Sequence, residues 1–145
     1  MMTSTDVRRF VDHALGLGNS GDLDGLAGLF DPNVVMVGPD GTVKGSEAVR
    51  AAFDVLYTAF PGLQVEINRL IVEDDWVAYT ATATGTHGGP LRLPDGRVIA
   101  PTNQPVTLRM VNVRQVKDGR LTYIENSWDR LHLLSQMGLL PASGG

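Results

Sequence analysis

Two pairs of long strand-forming segments in the second half of the chain constrain its fold more than any other feature. Residues 106–116 and 120–128 flank Lys117-Asp118-Gly119, and an Asp-Gly pair suits the type I′ turn that closes a β-hairpin. Residues 63–72 and 76–86 form the second pair. Because strands of this length twist and bend, they do not fit a small flat sheet. The pattern therefore predicts a strongly curved antiparallel sheet.

Helical periodicity is confined to the first part of the chain and to its end. A short closing helix is predicted at 130–137, with Asp129 as its N-cap. The earlier helices are predicted from a cap among residues 3–5 to the glycines at 16 and 18, over residues 23–30, and from Ser46 as N-cap to Phe60. A short strand is predicted at 34–37. Helices that are separated in sequence from an antiparallel sheet indicate an α+β fold, in which the helices cover one face of the sheet. No linker divides residues 1–145, so we expect a single domain.

One long connection interrupts the strands. Residues 88–105 are rich in Gly and Pro, with a turn predicted at Pro94-Asp95-Gly96. Connections of this length in small domains are often lids over binding sites. The pattern is equally compatible with a lid and with a plain connection.

Composition and charge exclude several classes of function. The chain has a net charge of −4 and no basic run longer than Arg8-Arg9, so nucleic-acid binding is not expected. It has no cysteine, and its three histidines lack the spacing with acidic residues that is typical of a metal site. No segment reaches the roughly 20 apolar residues of a membrane span, and no phosphate-binding glycine loop follows a strand. We therefore expect a cytoplasmic protein with no metal, no cofactor and no nucleic-acid or membrane partner.

Four segments carry a resemblance to a known family. They are TGTHGG at 84–89, APTNQPV at 100–106, KDGR at 117–120 and WDRLHLLSQMG at 128–138. In their order and spacing they resemble the SnoaL-like polyketide cyclase family, and the resemblance covers nearly the whole chain. It implies the NTF2-like cone, a curved sheet wrapped around the N-terminal helices with an internal pocket. It also implies a cofactor-free bacterial enzyme, usually a homo-oligomer; in the type members an intramolecular aldol reaction closes a carbon ring.

Strand alternation determines which side chains share a face of the sheet. One face of 106–116 carries Asn112 and Arg114, and one face of 120–128 carries Asn126. Alternation alone does not say which faces point inward. The resemblance selects the faces with the two asparagines, because the family's polar and acidic site residues fall in those columns.

The chain departs from the family pattern at the positions that carry the chemistry. Asn126 stands where the aldol-type cyclases have a catalytic aspartate, and Ile124 stands where they have a histidine. Met36 replaces an asparagine of the first strand, and Met110 and Asn112 occupy polar positions of the strand before Asn126. An amide does not take up a proton near neutral pH, so Asn126 cannot act as a general base. It can still donate a hydrogen bond to a polarised carbonyl or an enolate.

The candidate site residues fall into two groups. The candidates for catalysis are Asn126, Asn112, His87 and Asp129. The candidates for substrate binding are Met36, Tyr57, Met110, Ile124 and Trp128. Each also has a structural interpretation: the aspartate as a helix cap, the asparagines as core amides, the histidine as a surface or structural residue, and the methionines as core filler.

The residues and the resemblance together predict a cofactor-free enzyme that closes a carbon ring in a polyketide or related natural product. Closure is either aldol-type or pericyclic, and in the second case two amides hold a hydrophobic polyene in one reactive shape. The alternatives are a cone-fold hydrolase, dehydratase or isomerase on another small molecule, and a non-catalytic ligand-binding protein. We expect a homodimer that forms through the outer face of the sheet, towards which Glu125 points.

Overall fold

The computed structural model describes residues 2–140, which form four helices and eight strands. The helices are α1 (Ser4–Asn19), α2 (Leu23–Ala27), α3 (Ser46–Ala59) and α4 (Arg130–Gln136). The strands are β1 (Phe30–Gly38), β2 (Gly41–Lys44), β3 (Gln64–Glu73), β4 (Trp76–Thr86), β5 (Leu91–Arg92), β6 (Val98–Ile99), β7 (Pro105–Lys117) and β8 (Arg120–Ser127). The order of elements confirms the predicted α+β class and the NTF2-like cone.

Six of the strands form one sheet in the order β2-β1-β8-β7-β4-β3. Every pair in it is antiparallel except β1 with β8, which is parallel. The register shifts at Asn68 of β3, which has no partner on β4, and at Thr122 of β8, which has no partner on β7. An extra residue of this kind bends a strand and increases its twist, so these shifts help curve the sheet around the helices.

The hairpin between β7 and β8 confirms the predicted turn. Lys117 pairs with Arg120. The two residues between them, Asp118 and Gly119, have φ of 51° and 73°. Positive φ at both central residues is the signature of the type I′ turn. Local sequence chemistry therefore determines the register next to the turn, and the extra residue Thr122 in β8 shifts it by one further along the hairpin.

Three predicted boundaries are wrong. α1 continues through both of its glycines to Asn19 instead of ending at them. Phe30 begins β1 instead of ending α2, because its backbone pairs with Leu121 of β8 and its ring is buried. Ser46 is the first residue of α3 and not its cap; Gly45, with φ of 93°, holds the cap position and makes no side-chain cap bond.

The long connection at 88–105 contains structure of its own. β5 and β6 pair within it as a separate two-stranded sheet. The predicted turn is present, with Gly96 donating its N–H to the carbonyl of Leu93. Leu91 packs against the core near Phe60, and α3 contacts β5. The segment therefore lies on the body of the domain.

The core fills the space between the helices and the inner face of the sheet. Val7 and Val11 of α1 and Val49 of α3 pack against Val77 and Ile124 of the sheet, all at most 4% exposed. A second cluster joins the end of α3 to α4, which closes one end of the cone. No helix in residues 2–140 is long and apolar enough to span a membrane.

Candidate active site

A cavity of about 90 Å³ lies between α1, α3 and the inner faces of β4, β7 and β8. Apolar side chains such as Val11, Phe53 and Ile124 form most of its wall. Strand alternation sends every second residue of β7 towards this space. Met110, Asn112 and Arg114 line it, whereas Val111 between them is 57% exposed on the opposite face. The inward face inferred for β7 is confirmed.

Asn112 and Asn126 stand side by side in the wall of this cavity. They are register partners on β7 and β8, and side chains opposed in this way have Cβ atoms about 5 Å apart. Asn112 is 1% exposed and Asn126 is 9% exposed. The side-chain oxygen of each is buried and has no hydrogen-bond partner in the described part of the chain. Because an unpaired buried polar group is costly, such a pair points to a ligand.

Two further polar residues of the cavity were missed by the sequence analysis. Tyr79 is the register partner of Asn112 on β4, and Arg114 lies two residues along β7 with its guanidinium carbon 5.5 Å from the centre of the Tyr79 ring. Strand alternation already placed Arg114 on the same face as Asn112, so Arg114 could have been predicted as a site residue from the sequence. Nothing local marks Tyr79, since its position depends on the register between two strands.

Tyr57 of α3 completes this polar group. Burial raises the pKa of its phenol and Tyr79 adds to the effect, while the charge of Arg114 opposes it. Its hydroxyl lies against Gly18, where an added Cβ would stand 2.6 Å from the phenolic oxygen. Two phenols, two amides and one cation are therefore the polar side-chain groups of the cavity wall. No Asp or Glu of residues 2–140 is part of its wall.

A second space of about 200 Å³ adjoins the first. Met36 and Trp128 line it, together with Leu91 and Leu93 from the long connection. It shares Phe53, Leu56 and Asn126 with the inner cavity. Asn126 therefore stands where an inner and an outer chamber meet.

His87 lies outside the wall of either chamber. It is fully buried, with its ring 5.5 Å from that of Phe60. The backbone N–H of Thr102 donates to Nδ1 at 3.2 Å, and the Thr102 hydroxyl lies 2.9 Å from the same atom. Nδ1 is therefore an acceptor, and the neutral ring carries its proton on Nε2, which has no partner within residues 2–140. Through its contacts with Thr102, His87 links the end of β4 to the last part of the connection at 88–105.

Asp129 is exposed and caps α4. Its Oδ1 accepts the backbone N–H of His132 at 3.1 Å, as its structural interpretation predicted. Asp129 is not part of the wall of either chamber.

The structure thus gathers most of the predicted site residues. Tyr57, Met110, Ile124 and Asn112 line the inner cavity, and Asn126 lines both chambers. Met36 and Trp128 line the outer chamber, whereas His87 and Asp129 line neither. No cluster of three or more His, Cys, Asp or Glu suitable for a metal occurs among the residues described. The catalytic and binding roles of all nine residues remain predictions.

Comparison with known proteins agrees with this architecture. AclR of Streptomyces galilaeus, described as a candidate hydroxylase, is 26% identical, with a TM-score of 0.80 and coverage of 96% of this chain and 100% of that chain. A candidate SnoaL-like polyketide cyclase from Jannaschia sp. CCS1 is 24% identical, with a TM-score of 0.82 and coverage of 97% and 99%. IdmH of Streptomyces antibioticus, a candidate polyketide cyclase, is 23% identical, with a TM-score of 0.75 and coverage of 91% and 98%. The last two, at this identity, show the fold alone.

No curated protein sequence shows significant similarity to this chain. The family model described as a SnoaL-like domain matches residues 7–124, from the first buried valine of α1 to the inner face of β8. The match includes the hairpin of β3 and β4, that of β7 and β8 up to Ile124, and most of the cavity wall, and it ends before Asn126. Since it spans well over half of the chain, the protein belongs to the SnoaL-like family.

Proposed function

We propose that this protein is a cofactor-free cyclase that closes a carbon ring in a polyketide or related hydrophobic intermediate. The observation that carries the proposal is the pair of opposed, buried amides in an otherwise apolar cavity, each with an unpartnered oxygen. A long hydrophobic substrate would lie along the two chambers, and the amides would hold its polar groups. Membership of the SnoaL-like family supports the same assignment.

Pericyclic closure fits the lining of the inner cavity better than an aldol reaction; Asp40 lines only the outer chamber, where Arg130 pairs with it. An aldol step needs a base to remove a proton, and neither an amide nor an arginine guanidinium takes up a proton near neutral pH. In a [4+2] closure two carbon–carbon σ bonds form, three π bonds become one, and no proton moves. The pocket then acts by holding the diene and the dienophile in the reactive geometry. The conformational entropy that the free substrate loses in reaching this geometry is thus lost on binding, and it no longer adds to the barrier of the reaction.

Besides helping to orient the substrate, the amides would polarise one of its carbonyl groups. An amide can present its Nδ2 donor to a substrate carbonyl and its unpartnered Oδ1 to a substrate hydroxyl. A hydrogen bond to the carbonyl lowers the energy of the lowest unoccupied orbital of an attached dienophile. A preorganised donor of this kind contributes about 3 kcal/mol in well-studied enzymes. Asn126 lies at the junction of the chambers and Asn112 beside it, so both can reach one carbonyl near the middle of the substrate.

The absence of a carboxylate from the described wall of the inner cavity also favours one alternative, a non-catalytic ligand-binding protein. Such a protein needs the apolar walls and the amide pair but no transition-state polarisation. A hydrolase, dehydratase or isomerase, in contrast, would need an acid or base beside the substrate.

The test is mass spectrometry of metabolites from the source organism with and without the gene. A cyclase predicts that the deletion accumulates a compound of the same mass as the lost product, because ring closure of this type only rearranges atoms. Complementation with the Asn112→Leu/Asn126→Leu variant should leave that compound in place. A mass difference of one water would instead indicate hydrolase or dehydratase chemistry, and unchanged metabolites would favour the binding role.

We also propose a homodimer through the outer face of the sheet. Val111 and Trp76 expose 57% and 38% of their surface, and Trp76 packs edge-on against Tyr123. Tyr123 in turn donates to Glu125, which has the outward parity predicted for it. Light scattering should give twice the chain mass, and Val111→Lys should reduce it to one chain.

A further inference from the structure

The inner cavity contains a positive charge that the amide-based mechanism does not use. Arg114 lines it and lies opposite Ile124 of β8 and Val77 of β4, both at most 1% exposed. Its Nη1 donates to the carbonyls of Val113 and Glu125, at 3.1 and 3.0 Å. These bonds fix the position of the guanidinium without neutralising its charge.

Three other arginines of the described chain are paired with carboxylates. Arg50 pairs with Asp24 at 2.7 Å, Arg97 with Asp95 at 2.7 Å, and Arg130 with Asp40 at 2.5 Å. Within residues 2–140 Arg114 has no carboxylate within 4.0 Å, although it is the arginine that faces the cavity. The ring of Tyr79 offers only the weaker attraction of its π face.

The phenols around Arg114 are donors. Tyr57 and Tyr79 both line the same cavity, and burial together with Tyr79 raises the pKa of Tyr57, so its hydroxyl stays protonated. An arginine guanidinium has five N–H donors in a planar fork. A cation and two phenol donors that line one apolar space can form a receptor for an oxygen anion.

We propose that Arg114, with Tyr57 and Tyr79, binds an organic oxyanion of the substrate, either a carboxylate or the enolate of a dicarbonyl group. The assignment rests on the proposed function, because it names the class of substrate that the same cavity takes. The anionic end lies at Arg114 and the apolar body extends towards Asn126, a diagonal neighbour about 7–8 Å away across the strand pair. The anionic end of the substrate therefore enters the inner cavity first, and the apolar body follows.

Binding of a matched pair of probes tests the assignment without any turnover. 2-Naphthoate and 2-naphthamide have nearly the same shape, but only the first is charged. Isothermal titration should show naphthoate binding about tenfold or more tightly than the amide, which is the usual effect of one charged hydrogen-bonded contact. Indane-1,3-dione in its enolate form, compared with indan-1-one, distinguishes an enolate site from a carboxylate site.

Arg114→Met should abolish the preference for the anion, and Arg114→Lys should restore part of it. Arg109→Met is the matched control, since Arg109 lies on the same strand but is exposed on the outer face, and it should keep the full preference. Arg114→Gln keeps a donor for the two carbonyls and serves if the methionine variant does not fold. The proposal is overturned if the wild-type protein does not bind naphthoate more tightly than naphthamide, or if the uncharged variants keep the preference.

The outcomes separate this site from the proposed function. If the protein prefers anions in a way that depends on Arg114 but the deletion strain has unchanged metabolites, the anion site is supported and the cyclase function is rejected. A same-mass compound in the deletion strain, without any anion preference, retains the cyclase and gives it a neutral substrate.

Discussion

Asn112 and Asn126 face each other across two antiparallel strands, and the side-chain oxygen of each is buried without a partner in residues 2–140. Two such groups side by side in an apolar wall destabilise a fold unless a ligand uses them. Asn126 lies at the junction of the two chambers and Asn112 lies beside it, so the pair is the centre of the proposed reaction.

We expect replacement of either amide by the near-isosteric leucine to separate stability from activity. Asn112→Leu and Asn126→Leu should leave the free energy of unfolding unchanged or raise it by up to about 2 kcal/mol, because an unpaired buried polar group is removed. Ring closure should slow about 100-fold if the donor polarises the substrate. Urea unfolding and product formation measure the two effects. Asn33→Leu, at an exposed position, is the control. Variants that lose both stability and activity would identify the amides as structural.

The contact between Gly18 and Tyr57 predicts coupling between a helix glycine and the cavity. In Gly18→Ala the new Cβ would stand 2.6 Å from the Tyr57 hydroxyl oxygen, so the phenol has to move into the cavity. Binding of a cavity ligand such as 2-naphthoate should weaken, and in a Tyr57→Phe background the same substitution should have a smaller effect. Gly16→Ala, whose Cβ meets nothing within 4 Å, should instead stabilise α1 by up to about 1 kcal/mol. Equal effects of Gly18→Ala in both backgrounds would contradict the coupling.

His87 predicts a dependence of stability on pH. Burial lowers its pKa below the ordinary value of 6.5, with a smaller opposing effect of the nearby Gly89 backbone. Below about pH 6.5 the unfolded chain therefore binds the proton more readily than the folded chain, and this contribution to stability falls as the pH falls. Urea unfolding should show that His87→Asn, whose side-chain oxygen can accept from Thr102, loses part of this dependence. His132→Gln, at an exposed position, should retain it. The same pH profile in His87→Asn and wild type would assign the dependence to other groups.

Gly89 predicts how tightly the long connection lies on α3. A Cβ at this position would stand 2.0 Å from the backbone carbonyl oxygen of Thr58, and backbone atoms cannot move aside as a side chain can. Gly89→Ala should therefore displace the connection and loosen Leu91 and Leu93 from the outer chamber. Limited proteolysis should cut within 88–105 several times faster than in the wild type. Gly88→Ala, with its nearest contact at 3.4 Å, is the control and should be cut at the wild-type rate.

Much of the fold follows from local patterns in the sequence. Asp118-Gly119 predicted a type I′ turn, and the φ angles of the pair confirm it. Continued strictly, the register of that turn would pair Asn112 with Glu125; the extra residue Thr122 in β8 shifts it by one, so that Asn112 pairs with Asn126. The end of α1 was predicted wrongly because a glycine usually stops a helix. Here the helix continues through Gly18, and the missing Cβ of this glycine leaves room for the Tyr57 hydroxyl.

The sequence by itself determined the α+β class, the two hairpins and the alternation of side chains along β7. These depend on turn chemistry, residue period and identity, all of which are local. Only the tertiary structure decided that β1 pairs in parallel with β8, that His87 and Asp129 lie outside both chambers, and that Tyr57, Tyr79 and Arg114 meet in one cavity. Those relationships join residues far apart in the chain, and they depend on strand pairing and packing, which no local pattern encodes.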